Sequence, residues 1–150
     1  MIELDTRKLP GFDKTRGHIS EAKRAALDQI GKDLQNSLRG AIAGSIRDSH
    51  GKVQSWQQIY KGSGGGYVAI RPVSPPTGPH SPGAITNYLQ SGHAIRPPTG
   101  KNQRYRPRIH VVRVAGRGFY TDTAARAESI AQSACRTLEQ RIKRDLEADL

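Results

Sequence analysis

Five histidines, one cysteine and two glycine-containing stretches are the first places in this chain to look for chemistry. His18, His50, His80, His93 and His110 are scattered. No two of them stand three or four residues apart, the spacing that lets one helix face grip a metal, and there is no H-E-x-x-H or C-x-x-C. Cys135 is the only cysteine, so neither an intrachain disulfide nor a cysteine-based zinc site can form, and the expectation is that it packs in a helix. Gly62 to Gly66 (GSGGG) is not followed by the lysine, the hydroxyl residue and the helix start that a phosphate cradle needs. It reads as a bare turn. Thr99-Gly100-Lys101 resembles the end of a phosphate-binding loop without its first glycine or its following hydroxyl. A nucleophile needs a base and an orienting carboxylate, and the middle of the chain contains no carboxylate at all. The expectation is a protein with no catalytic residues, no metal site and no cofactor. A hydrolase built from distant residues has no sequence feature behind it.

What remains is electrostatics. The 150 residues carry a net charge of +11. No Asp or Glu occurs between Asp48 and Asp122, while that interval holds Lys52, Lys61, Arg71, Arg96, Lys101, Arg104, Arg106, Arg108, Arg113 and Arg117. The rest of the chain is nearly balanced, so the excess belongs to the middle. Charge segregated in this way points to an anionic partner, either nucleic acid or an acidic protein face; the plainer alternative is a solvated surface. Residues 93–108 (HAIRPPTGKNQRYRPR) are the densest part. Proline holds such a segment extended, Arg and Lys neutralise phosphates, and Tyr105 could stack on a base. No recognition-helix or RNP-type motif accompanies it, which leaves sequence-specific reading of DNA unsupported. Non-specific contact with DNA and docking on an acidic protein fit equally well.

The elements that must carry this segment follow from periodicity. Leu27, Ile30, Leu34, Leu38, Ile42 and Ile46 recur at spacings of three and four, which predicts a long amphipathic helix from Ser20, as its cap, to a stop at Gly51. Pro10 and Gly11 are expected to break any earlier helix. Val53 to Tyr60 and Tyr67 to Val73 read as an antiparallel pair around the glycine turn. Residues 74–83, with four prolines, read as a loop. Ile85 to Leu89 is a short apolar segment leading to Gly92, and Ile109 to Val114 (IHVVRV) reads as the clearest strand. Ala127, Ile130, Ala131, Ala134, Leu138, Ile142 and Leu146 form a second helical stripe, with Asp122 as its expected N-cap. The fold class is therefore α+β. A long N-terminal helix precedes a three- to four-stranded antiparallel sheet with a long basic loop, and a C-terminal helix packs on the sheet. Residues 1–17 are read as an N-terminal arm and residues 18–150 as a single domain. Leu, Ile, Val and Phe make up about a fifth of the chain, which is lean for a domain with this much charge. Part of its apolar surface is therefore expected to be covered by neighbours. Residues Met1 to Phe12 have no apolar run of the secretory kind, and no stretch approaches a membrane span. Synthesis in the cytoplasm fits.

The order of these elements resembles that of the phage neck and minor tail proteins, the family that includes the lambda Z-type tail-completion protein. A long amphipathic helix is matched by residues 20–49, and a glycine-led entry to the first strand by Gly51-Lys52-Val53 through Ile59. Two short motifs follow. An aromatic, an aliphatic, an acid and then a glycine are represented by Tyr88-Leu89-Gln90-Ser91-Gly92, and a turn into the last helix by Gly116-Arg117-Gly118-Phe119-Tyr120. The chain departs from the family's pattern at Gln90, which stands for the acid, at His50, which stands for a threonine, and at Gly118, which stands for a proline. The resemblance implies a virion structural protein made in a host cytoplasm. It implies a homo-oligomeric ring, six- or twelve-fold, between head-closure or adaptor proteins and the tail terminator or tail tube protein. Genomic DNA would pass non-specifically through the lumen, and no membrane is involved. On this reading Arg96, Lys101, Arg104, Arg106, Arg108, Arg113 and Arg117 face DNA or an acidic partner. Leu34, Leu38, Ile42, Trp56, Phe119, Tyr120 and Leu138 pack the core or the assembly. The competing expectation is a free-standing, non-specific nucleic-acid-binding module.

Overall fold

The computed structural model describes residues 10–75, 77–95 and 113–149. Its elements run α1 (Pro10–Ser45), α2 (Lys52–Trp56), β1 (Gln57–Lys61), β2 (Val68–Pro72), α3 (Pro82–Ser91), β3 (Gly92–Ala94), β4 (Arg113–Ala115) and α4 (Phe119–Asp149). The mixed helix-and-strand class, with long helices at both ends, agrees with the sequence. The single three- to four-stranded sheet does not. Among the described residues the strands form two separate two-stranded antiparallel sheets, β1–β2 and β3–β4.

α1 is longer at its start than the apolar stripe indicates. It begins at Pro10, ten residues ahead of Ser20. The first N–H groups of a helix have no partner inside it, so a proline there sacrifices no hydrogen bond, and Pro10 opens the helix instead of breaking it. At its other end α1 stops at Ser45, short of Gly51. The chain then turns through Asp48 to Gly51, where Gly51 adopts φ 61°. The Asp48 carboxylate accepts the Lys52 N–H at 2.8 Å and the Gln54 N–H at 3.0 Å. This capping turns residues 52–56 into a short helix although Val53 and Trp56 favour strands, so the expected strand begins only at Gln57.

The segment after the proline loop is also helical. Ser81 caps α3, accepting the Ala84 N–H at 3.3 Å, and Pro82 takes the first helical position. The pairing of serine cap with proline is a start signal, and Ile85 to Leu89 lie inside this helix. α4 begins at Phe119 and not at Asp122, which stands in its first turn where the helix dipole favours an acid. Gly118, at φ 66°, makes the entry. Cys135 lies within α4, as expected, but on its exposed side.

The chain divides into two compact units. Among the described residues the first comprises 10–37, 59–70 and 125–149, and the second 38–58, 71–75, 77–95 and 113–124. In the first, Ala22 and Ala134 are buried. Gly31 lies where a β-carbon would come within 3.0 Å of Ile59 and Val68, so β1 and β2 side chains pack directly on the α1 backbone. Leu34 and Leu138 are half-buried there. In the second, Leu38, Ile42 and Phe119 are fully buried, with Val53 and Ala84 nearly so. Trp56 and Tyr120 are half-buried. Among the described residues, no helix is long and apolar enough to cross a membrane.

Candidate functional site

The site is assembled in the second unit from two short motifs about 30 residues apart. α3 ends at Gly92, and β3 leaves immediately to pair antiparallel with β4, Gly92 opposite Ala115, His93 opposite Val114 and Ala94 opposite Arg113. At this crossing the two backbones nearly touch. A β-carbon on Gly92 would press closer than 3.0 Å to the Val114 carbonyl oxygen, and one on Gly116 equally close to that of Gln90. Gly92 also adopts φ 76° and ψ 174°, a region only glycine enters readily. The Arg117 N–H donates to the Leu89 carbonyl at 2.8 Å and the Gly118 N–H to that of Gln90 at 3.2 Å. The α3 terminus is thereby sewn to the turn that starts α4.

Gln90 completes the joint. Its Oε1 accepts the Tyr120 N–H at 2.8 Å, and its amide nitrogen donates to Thr121 Oγ1 at 3.3 Å. A side chain from another element thus does for α4 what an N-cap residue does for most helices. A carboxylate at this place would accept the same N–H and meet the helix dipole with a full charge, which gives a physical reason for an acid in such a motif.

Beneath the joint lies a buried polar network. Tyr120 Oη donates to Gln57 Oε1 at 2.5 Å, and Gln57 Nε2 donates to the Val53 carbonyl at 3.1 Å and to Thr86 Oγ1 at 3.4 Å. The Thr86 hydroxyl in turn donates to the Pro82 carbonyl at 2.7 Å. Gln57 and Thr86 are fully buried, so each bond satisfies a group that would otherwise be costly to desolvate. Burial pushes the Tyr120 hydroxyl up to about 12, which keeps it a neutral donor at any ordinary pH.

Against this frame sits a cleft of about 720 Å3. Its floor is apolar, from Ala43, Val53, Leu89 and Val114, and its basic lining is Arg47, His93 and Arg117. No carboxylate lines it among the described residues. Tyr88 and His93 stand beside each other with ring centroids 5.5 Å apart. Arg113 is exposed on β4 opposite Ala94, and Arg117 is exposed in the turn after it.

The remaining basic candidates, Arg96, Lys101, Arg104, Arg106 and Arg108, lie outside the described residues, as do residues 109–112 of the expected strand. The segment that contains them joins Ala94 to Arg113, which are partners in the β3–β4 ladder. Two other cations of the acid-free interval act elsewhere. Lys61 pairs with Asp28 at 2.5 Å, and Lys52 Nζ lies 5.7 Å from the centroid of the Trp56 ring.

Arg47 escapes a reading of the sequence because Asp48 follows it and marks the edge of the basic interval. That boundary misleads: both Asp48 oxygens face the N–H groups of α2. Tyr88 and His93 escape it too, since nothing local marks them as neighbours of Arg47 and Arg117.

Comparison with protein-family models, with curated proteins and with solved structures finds no match to this chain.

Proposed function

We propose that this chain is a non-enzymatic virion structural protein of the tail-completion type, forming a ring that joins head to tail in a long-tailed phage. Its basic loop, residues 93–108, faces the DNA in the lumen or an acidic neighbouring ring. One observation carries this reading. Two of the short motifs within the order of elements that carries the resemblance, around Gln90 and around Gly118, interlock through three hydrogen bonds and a glycine–glycine crossing. That joint is the root of the hairpin from which the acid-free, arginine-rich segment departs. A device that binds weakly and without sequence preference suits DNA that must slide past, and phosphate neutralisation by arginine is of that kind.

The test is to sediment phage-like particles from the source and quantify this protein per particle. A small, fixed, ring-like copy number in tailed particles, lost from tail-less heads, supports the joining role. Absence from particles overturns it.

The density of arginine in residues 93–108 favours a second reading, a non-specific nucleic-acid-binding module. Binding would then fall steeply with salt, because each neutralised phosphate releases counterions. Neutralising Arg104, Arg106 and Arg108 together would abolish it and leave the fold intact. If those changes block particle assembly and leave DNA binding untouched, this second reading fails.

A further inference from the structure

Two surfaces of the chain lack a cover among the described residues, and they are complementary. The first is the C-terminal half of α4. Leu138, Ile142 and Leu146 repeat every four residues and form an apolar face flanked by Glu139 and Glu147. Leu138, at the start of this face, is half-buried and also borders Ala22, Ala25 and Ala26 of α1, whereas the described residues around Ile142 and Leu146 belong to α4 itself, and Leu146 is 40% exposed. The second surface is the cleft lined by Arg47, His93 and Arg117, where Tyr88 is 42% and Val114 36% exposed.

We infer that the cleft of one copy receives the C-terminal half of α4 from a second copy. Leu138, Ile142 and Leu146 of the incoming helix lie on the cleft floor, and its Glu139 and Glu147 meet Arg47 and Arg117. An amphipathic helix in an apolar groove is a recurring mode of recognition, read through anchors on one helix face. Charge selects this occupant. The cleft has cations and no carboxylate among its described lining, whereas the α4 face carries two glutamates and the single cation Lys143. A nucleic-acid strand would match the arginines but leave the apolar floor and the α4 face uncovered. The contact joins two different surfaces, so it is head-to-tail, and repeating it generates a closed ring or an open filament according to the rotation between copies. The inference rests on the joining reading and deepens it by naming the contact between copies.

The experiment measures the mass of the purified full chain in solution across protein concentration and salt. Wild type is expected to self-associate, and to do so less at high salt, where the charges are screened. A cleft variant (Arg47→Glu with Arg117→Glu) and a helix variant (Glu139→Arg with Leu146→Asp) are each expected to weaken association by about tenfold or more. Circular dichroism on each verifies that these exposed changes leave the fold in place. Mixing the two variants is the decisive arm. The first keeps an intact helix face and the second an intact cleft, so together they form a one-to-one complex that grows no further. A monomeric wild type overturns the inference. So does a helix variant that dissociates while the cleft variant still self-associates, which would mean that α4 pairs with α4. Particles that incorporate the cleft variant normally would overturn this contact and leave the joining role standing.

Discussion

The two compact units of this protein are stabilised by different means. The second unit buries Leu38, Ile42 and Phe119 completely and ties its elements with a polar network in which Gln57 and Thr86 are equally buried. The first unit relies on small residues, Ala22, Gly31 and Ala134, and on ion pairs such as Lys61–Asp28 and Arg141–Glu21 whose groups remain open to water. Large buried side chains and satisfied buried polar groups specify one arrangement, whereas small-residue packing and exposed charges hold elements together with little margin. The unit that carries the β3–β4 ladder is thus the one with the larger fully buried side chains. The unit that carries the exposed α4 face is the one with apolar surface left to share.

Substitutions probe that contrast, beginning with the most severe. Phe119→Ala empties the centre of the second unit and is expected to cost about 3–5 kcal/mol, read from urea unfolding. A loss below about 1 kcal/mol would mean that Phe119 is not the anchor its burial indicates. Gly92→Ala brings a β-carbon against the Val114 carbonyl at a positive φ, and strain and crowding together are expected to cost about 2–3 kcal/mol. The same change at Gly40, where a β-carbon meets nothing within 4 Å, is expected to be neutral or to stabilise the helix by up to about 1 kcal/mol.

Tyr120→Phe removes the donor to buried Gln57 and is expected to cost about 1–3 kcal/mol. It also changes the response to alkali. Below pH 10 the hydroxyl is protonated in both folded and unfolded chains, and its contribution is present in full. Between pH 10 and about 12 the unfolded chain loses its proton first, so stability falls as pH rises and this contribution is gone once the folded group titrates. Wild type is expected to lose stability through that window, and the phenylalanine variant to lose less. Parallel losses would assign the alkaline sensitivity to other groups. In the first unit, Glu21→Gln removes one of the two acidic partners of Arg141, the other being Asp145, with the Glu21 side chain 71% exposed, and is expected to change stability by less than about 1 kcal/mol. A larger effect would erase the difference between the two units.

Parts of this architecture are legible before any folding. The stripes from Leu27 to Ile42 and from Ala127 to Leu146 announce α1 and α4, because burial along a helix repeats with the helix's own period. Gly62 to Gly66 announces the turn between β1 and β2. The two short helices are less visible. α2 forms on Asp48, outside its own strand-like residues, and α3 is too short for its apolar spacing to separate from a strand, although Ser81-Pro82 marks its start. Pro10 misleads because a proline is harmful inside a helix and harmless in its first turn.

The candidate site divides along the same line. The amino-acid order alone determined the acid-free interval, the proline- and arginine-rich segment within it, and the glycines that bracket it, since charge and composition are properties of neighbouring residues. Only the tertiary structure decided that Gln90 caps a helix about 30 residues away, that Gly92 and Gly116 cross, and that Tyr120 reaches Gln57. It likewise decided that Arg47 lines one cleft with Arg117 while the Asp48 carboxylate is taken up by N–H groups of α2. Those outcomes rest on hydrogen bonds and close approaches between distant segments, and no local pattern records which distant group will satisfy a buried donor or tolerate a touching backbone.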